Sequence, residues 1–241
     1  YEMSASLVGS EMCIRDSLER ILRLKPEFSE GLQGLAYSSG RSGLSPRFVA
    51  QALDLTQKIL RGTYRYSNGE EQIVLEDGKY VKINFSSSGQ QECVWILNLL
   101  FYYLVQQKEI LFIIEEPESH LFPESQKYIT ELIALVNNCG HSIVLTTHSP
   151  YVLGTLNNLL YAKTISPQAR KEANKIIRES LWLDYNAFDS WFVKNGTIEN
   201  CMDADIHMIQ NEKIDEISKV INEDFERLLE LQTTNEESVV L

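Results

Sequence analysis

LFIIEEPESHLFP, residues Leu111–Pro123, is the segment from which the fold class follows. Its short, continuous apolar run, Leu111–Ile114, is typical of a central parallel strand. Glu115 and Glu116 come directly after that run, at the carboxyl end of the predicted strand, which is where open α/β sheets bind ligands. One carboxylate can hold Mg²⁺ and the next can position an attacking water as a base. Taken alone, two acidic residues favour a solvated loop after a core strand.

The residues that follow predict a crossover to a second strand. A helix is expected over Pro123–Asn138, because apolar side chains recur at the i, i+3, i+4, i+7 positions of Ile129, Leu132, Ile133 and Val136. Gly140 ends this helix, and Ser142–Leu145 reads as another strand. Such a strand–helix–strand unit implies a right-handed parallel crossover, and therefore an α/β fold with parallel core strands and crossover helices.

Upstream segments predict helical and hairpin additions to this core. Ser45-Pro46 is a cap followed by proline and predicts the start of a helix. Asp77-Gly78 predicts a β-hairpin between Ile73–Leu75 and Tyr80–Phe85, because such turns need positive φ. A helix from about Gln90 to Gln107 is apolar on nearly every face, so we expect it to be deeply buried.

The tail adds a second hairpin at Asn195-Gly196 and a final amphipathic helix marked by Ile214, Ile217, Ile221, Phe225 and Leu228. We therefore expect four parts. Residues 1–17 form a segment outside the fold, 18–85 form a helical and hairpin arm, 86–165 form half of the core, and 166–241 form the C-terminal hairpin and helix.

Two further segments have a chemical interpretation. Ser87-Ser88-Gly89-Gln90 is a loop of small residues that opens the buried helix, so its free N–H groups at the positive end of the helix dipole would suit a γ-phosphate. An ordinary serine cap explains the same residues. His148, in Thr146–Pro150 (TTHSP), follows the second strand and could sense a γ-phosphate. A lone histidine is more often a capped or surface residue.

In this order the three segments resemble the signature loop, the Walker B strand with its D-loop, and the switch loop of ABC-class ATPases. Glu115–Pro123 is most similar to the EEPE-x-HL-x-P form of the overcoming-lysogenisation-defect-type and RecF/SMC-like groups. The resemblance is strongest over Ser86–Leu153 and implies that the chain is the C-terminal part of an ABC ATPase head, with ATP and Mg²⁺ as cofactors.

The resemblance also implies a role for each site residue. Glu116 would be the catalytic base, His148 the γ-phosphate sensor and Glu115 the Mg²⁺ carboxylate. Residues expected to contact nucleotide across a head-to-tail homodimer are Ser87, Ser88, Gly89 and Gln90 in the signature loop and Ser119 in the D-loop.

One element of such a site has no counterpart in the sequence. No G-x-x-x-x-G-K-S/T occurs in the 241 residues, although that loop cradles the phosphates. Tyr1–Ser17, YEMSASLVGSEMCIRDS, resembles the translation of a sequencing adapter, so we exclude it from the fold and expect it to be unstructured. We expect the phosphate loop upstream in an intact parent that hydrolyses ATP, and little or no nucleotide binding by this chain alone.

Composition excludes some classes of protein. A formal net charge of −12 gives little general attraction to phosphate backbones, so DNA would need a local basic patch or the full-length parent. No stretch approaches the roughly 20 apolar residues of a membrane span, so no membrane partner is expected. Outside the adapter-like segment, Cys93, Cys139 and Cys201 have no metal or disulfide spacing, which suits the cytoplasm.

Two alternatives remain open at this point. Asp203-Ala204-Asp205 could be the acidic pair of a nuclease, although a solvated turn explains it more simply. A non-catalytic regulatory or dimerisation module with a degenerate ABC fold would also lack the phosphate loop. The biological role comes from family analogy alone. The resemblance implies an accessory ATPase in anti-phage defence or DNA maintenance, with a possible partner nuclease.

Overall fold

The computed structural model describes residues 3–6, 19–38, 44–106, 108–210 and 220–229. The chain divides into two compact units, Tyr1–Phe188 and Asp189–Leu241. No helix within the described ranges is both long enough and apolar enough to cross a membrane.

The first unit contains most of the regular structure. In chain order its elements are β1 (Met3–Ser6), α1 (19–24), α2 (Gly31–Ser38), α3 (Pro46–Leu60), β2 (Thr63–Ser67), β3 (Glu70–Val74), β4 (Tyr80–Lys82), α4 (Ser88–Gln106), β5 (Leu111–Glu115), α5 (Pro123–Asn138), β6 (Ser142–Thr146), α6 (Pro150–Thr164) and α7 (Arg170–Ile176).

A parallel sheet with the strand order β1-β5-β6 positions the candidate site. β5 and β6 pair in parallel from Leu111 opposite Ser142 to Glu115 opposite Thr146, with α5 as the crossover. Phe112 and Ile114 are buried on one face, whereas Ile113 on the other face is 40% exposed. The expected α/β class, with parallel core strands, a crossover helix and hairpin additions, is confirmed.

The adapter-like segment differs from our expectation. Within Tyr1–Ser17 the structure forms a strand at Met3–Ser6, parallel to β5, where we expected no regular structure. The free edge of β5 offers unpaired N–H and C=O groups, and an extended segment can pair with them through its backbone whatever its side chains are. The other residues of the segment lie outside the described part of the chain.

The core is built around α4. This helix is buried on nearly every face, as its apolar composition predicted, and Leu97, Leu100 and Phe101 have no solvent exposure. Each large apolar side chain buried in this way stabilises the fold by about 1.5–3 kcal/mol. α3 and α5 pack against α4 and against each other.

The antiparallel sheet β2-β3-β4 is anchored by a part-buried carboxylate. Glu71 on β3 accepts hydrogen bonds from Tyr64 Oη at 3.0 Å, Trp95 Nε1 at 2.9 Å and Lys25 Nζ at 2.7 Å. Because Trp95 belongs to α4, these bonds tie the sheet to the core helix. The hairpin predicted at Asp77-Gly78 is confirmed, but β2 was not predicted.

Residues 166–188 pack with the first unit, so the boundary lies later than the predicted start of the C-terminal part at 166. Leu181, Trp182 and Leu183 are buried. Leu183 N–H donates to Leu159 O on α6 at 3.1 Å, and Asn138 Nδ2 at the end of α5 donates to Trp182 O at 3.0 Å.

The second unit contains β7 (Trp191–Lys194), β8 (Thr197–Asn200), β9 (Met202–Asp203), β10 (Met208–Ile209) and α8 (220–229). The predicted β7–β8 hairpin is confirmed, with Asn195 and Gly196 at φ of 52° and 77°. Of the predicted final helix, the part containing Ile214 and Ile217 lies outside the described residues. Asp203 Oδ1 accepts hydrogen bonds from the N–H groups of Asp205 and Ile206 at 2.9 and 3.2 Å. These bonds are typical of a turn, which was the simpler interpretation of this acidic pair.

Candidate functional site

The carboxyl ends of β5 and β6 bring the two predicted catalytic residues together. Glu116 N–H donates to Thr146 O at 3.0 Å, so the strands remain paired one residue beyond β5. His148 Nε2 lies 3.3 Å from Glu116 Oε1. The side chain of Glu116 is 48% exposed and that of His148 is 86% exposed. A substrate reaching this edge of the sheet would therefore meet both side chains.

A tight turn after β5 holds the second oxygen of Glu116. Ser119 Oγ donates to Glu116 Oε2 at 3.2 Å, and Ser119 N–H donates to Glu116 O at 3.0 Å. Glu116 and His120, at the two ends of this turn, have positive φ of 43° and 56°. A non-glycine residue pays about 1–2 kcal/mol for that conformation. The turn thus places the Glu116 carboxylate between Ser119 and His148.

Glu115 is the exposed last residue of β5 and lies opposite Thr146 in the sheet register. Among the described residues, no group of three or more His, Cys, Asp or Glu side chains is arranged to hold a metal ion. Mg²⁺ is usually bound through one or two carboxylates together with substrate phosphates. The exposed Glu115 carboxylate fits such a shared ion, to which it would give oxygen ligands beside those of the phosphates.

The first turn of α4 forms a reciprocal cap. Ser87 Oγ accepts the N–H of Gln90 at 3.3 Å, and Gln90 Oε1 accepts the N–H of Ser87 at 3.1 Å. Gln90 Nε2 also donates to Leu60 O at 2.7 Å. The serine cap considered from the sequence is therefore formed, and the N–H groups of Ser87 and Gln90 are bonded within it, whereas we had expected free N–H groups. Ser88 is exposed in the first turn beside them.

This first turn lies directly against the turn after β5. A Cβ atom at Gly89 would be 2.5 Å from His120 O, so glycine permits the approach. Glu92 Oε2 lies 2.8 Å from His120 Nδ1 and joins the same two segments. His120 follows Ser119, which bonds Glu116, so the structure brings all three predicted segments into one continuous site.

Sequence reasoning missed the buried support of this site. Glu118 and Gln126 bond to Thr147 and Ser149, across sequence separations of 29 and 23 residues. No local pattern indicates such pairs, because periodicity reports only on neighbours within one element.

Comparison with known proteins gives a family for most of the first unit. The family model of the AAA ATPase domain matches residues 14–153, a range that includes every residue of the site. Over 98 residues the chain is 31% identical to the cytochrome c biogenesis ATP-binding export protein CcmA of Bartonella quintana (strain Toulouse). That match covers 41% of this chain and 45% of the relative, so the chain spans less than half of the relative's length.

Proposed function

This chain belongs to the AAA ATPase domain family, and we propose that it carries the hydrolytic edge of an ATP site. The observation that carries the proposal is the 3.3 Å approach of Glu116 Oε1 and His148 Nε2 at the carboxyl ends of two neighbouring parallel strands. Ligands of open α/β sheets bind at this edge. The Bartonella relative is named as an ATP-binding protein, which supports the choice of nucleotide.

In this proposal Glu116 is the general base. Hydrolysis of ATP requires a group that orients the attacking water and accepts its proton. The Glu116 carboxylate is half exposed, and each of its oxygens is positioned, one by Ser119 and one by His148. A carboxylate fixed in this way can stay within hydrogen-bond reach of a water on its open side.

His148 and Glu115 would act on the phosphates. The exposed imidazole of His148 can exchange its contact with Glu116 for one with a γ-phosphate, and so register whether that group is present. Glu115 would hold Mg²⁺, which when bound offsets the negative charge of the phosphates. Both side chains are exposed at the same sheet edge, which is compatible with these roles.

The phosphate-binding loop would come from elsewhere, because no G-x-x-x-x-G-K-S/T occurs in the 241 residues. We propose that an intact parent pairs head to tail with a second copy, and that this chain alone binds nucleotide weakly or not at all. The residues that would contact the partner's nucleotide are Ser87, Ser88, Gly89, Gln90 and Ser119. Family resemblance favours an accessory role in anti-phage defence or DNA maintenance, with a nuclease or DNA as partner.

Sequencing the source DNA upstream of the codon for Leu18 tests the proposal. An in-frame glycine-rich loop ending in Gly-Lys-Ser or Gly-Lys-Thr is the expected result, and joining it to this chain should give Mg²⁺-dependent ATP hydrolysis. If the codons for Tyr1–Ser17 are genomic and no such loop precedes them, the proposal fails. A regulatory module that retains this half of the fold would then be the better interpretation.

A further inference from the structure

A buried carboxylate lies between the two turns that carry the site. Glu118, in the turn after β5, is only 6% exposed. Its Oε1 accepts hydrogen bonds from the hydroxyl of Thr147 and from the backbone N–H of His148, the latter at 3.1 Å. One oxygen atom therefore joins the turn after β5 to the turn after β6.

The bonds continue into the start of α6. Thr147 Oγ1 accepts the N–H of Ser149 at 3.0 Å, and Ser149 Oγ donates to Gln126 Oε1 at 2.5 Å. Ser149 Oγ also caps α6 by accepting the N–H groups of Tyr151 and Val152 at 3.1 and 3.3 Å. The backbone on both sides of His148 is thus fixed, although the His148 ring itself is exposed.

Stability alone does not explain a carboxylate at this position. Glu118 Oε2 is buried and has no hydrogen-bond partner among the described residues. Burying a carboxylate of which only one oxygen is hydrogen-bonded costs free energy. A protein with an apolar side chain of similar size in its place is often equally stable or more stable. Glu118 instead fixes the position of the His148 backbone N–H relative to the turn that begins at Glu116.

We infer that Glu118 is a positioning residue, which sets the location of His148 relative to Glu116 and so aligns the proposed base and sensor. The functional part of this inference rests on the proposed ATP site. Glu118 itself is buried and touches no substrate. Its effect passes through the hydroxyl of Thr147 and the N–H of His148, the two groups that it binds.

The experiment uses the 241-residue chain without nucleotide and measures the solvent exchange and chemical shift of the His148 amide proton by NMR. Glu118→Gln keeps the shape but removes the charge, and because charge-assisted hydrogen bonds are roughly twice as strong as neutral ones, exchange should be about tenfold faster. Thr147→Val should also speed exchange, whereas Thr147→Ser keeps the hydroxyl and should restore the natural rate. Glu131→Gln, at a second buried glutamate in α5, is the matched control and should leave His148 unchanged.

A positioning role predicts that exchange changes at residues 147–149, while the urea midpoint of the chain stays within the range of the control. Natural exchange at His148 in both Glu118→Gln and Thr147→Val would overturn the inference, as would equal acceleration across the whole first unit. Should Glu118→Gln fail to fold, the contrast between Thr147→Val and Thr147→Ser decides in its place. None of these measurements uses ATP. A failure of ATP hydrolysis in the proposed parent would therefore refute the proposed function without bearing on the role of Glu118 in positioning His148.

Discussion

Gly89 is the position where one added methyl group should disturb the site most directly. A Cβ atom there would lie 2.5 Å from His120 O, 3.0 Å from His120 C and 3.2 Å from Leu121 Cδ2. Two of these atoms belong to the backbone and cannot rotate away. Gly89→Ala therefore requires the first turn of α4 and the turn at His120 to separate by roughly 1 Å to reach ordinary contact distances.

The magnitude follows from two opposing effects. Overpacking of this kind lowers the free energy of unfolding by about 1–3 kcal/mol. Replacing a helical glycine by alanine raises it by up to about 1 kcal/mol. Gly89→Ala should thus lower the free energy of unfolding by about 1–2 kcal/mol. Gly154→Ala in α6 is a matched control, because outside its own helix a Cβ atom there meets no atom of the described residues within 4 Å. That control should raise the stability by up to about 1 kcal/mol.

Urea denaturation followed by circular dichroism measures both variants against the natural chain. We expect shifts of opposite sign, and in Gly89→Ala we also expect loss of the Glu92–His120 contact, visible in the NMR spectrum of the imidazole. If Gly89→Ala were as stable as Gly154→Ala, the close packing of α4 against the turn after β5 would be refuted.

Three further substitutions, one of them paired with a surface control, test the core by denaturation. Glu71→Ala should lower the free energy of unfolding by about 2–4 kcal/mol, because three donors lose their acceptor, whereas Glu70→Ala at a surface ion pair should cost less than about 1 kcal/mol. Equal effects would contradict this. Burial lowers the pKa of His141, so the unfolded chain binds that proton more readily and stability should fall as the pH drops below about 6.5. His141→Phe, which keeps an aromatic contact with Phe112, should flatten that pH dependence, and an unchanged slope would refute the assignment. Asn98→Leu should raise stability by about 1–2 kcal/mol, since both amide atoms are buried without a partner among the described residues. A decrease would mean that the amide is satisfied.

The elements that the sequence predicted are those with local signals. An apolar run and a helical stripe are sufficient for β5 and α5, and Asn195-Gly196 is sufficient for the β7–β8 hairpin. Two missed elements carried the same kinds of signal. Asn68-Gly69, at φ of 53° and 78°, joins β2 to β3, and Ser149-Pro150 opens α6 as Ser45-Pro46 opens α3.

The features that the sequence did not predict depend on contacts between segments that are distant in the chain. Strand order can place Glu116 and His148 at one sheet edge, but the positive φ of Glu116 and the bond from Thr147 to Glu118 arise only from the folded turns. The packing of residues 166–188 within the first unit likewise depends on distant residues, such as Asn138 on α5, whose side chain donates to Trp182 O across 44 positions.

Hydrolysis by Glu116→Gln decides whether the β5 edge is catalytic. In the proposed parent, with its phosphate-binding loop, ATP turnover and enzyme-bound nucleotide would be measured for the natural residue, for Glu116→Gln and for Glu172→Gln, an exposed control in α7. Loss of a general base costs roughly 10²–10⁴-fold in rate, so Glu116→Gln should retain bound ATP with turnover reduced at least about 100-fold, while the control hydrolyses normally. Turnover by Glu116→Gln at the natural rate would contradict the assignment of Glu116 as the base.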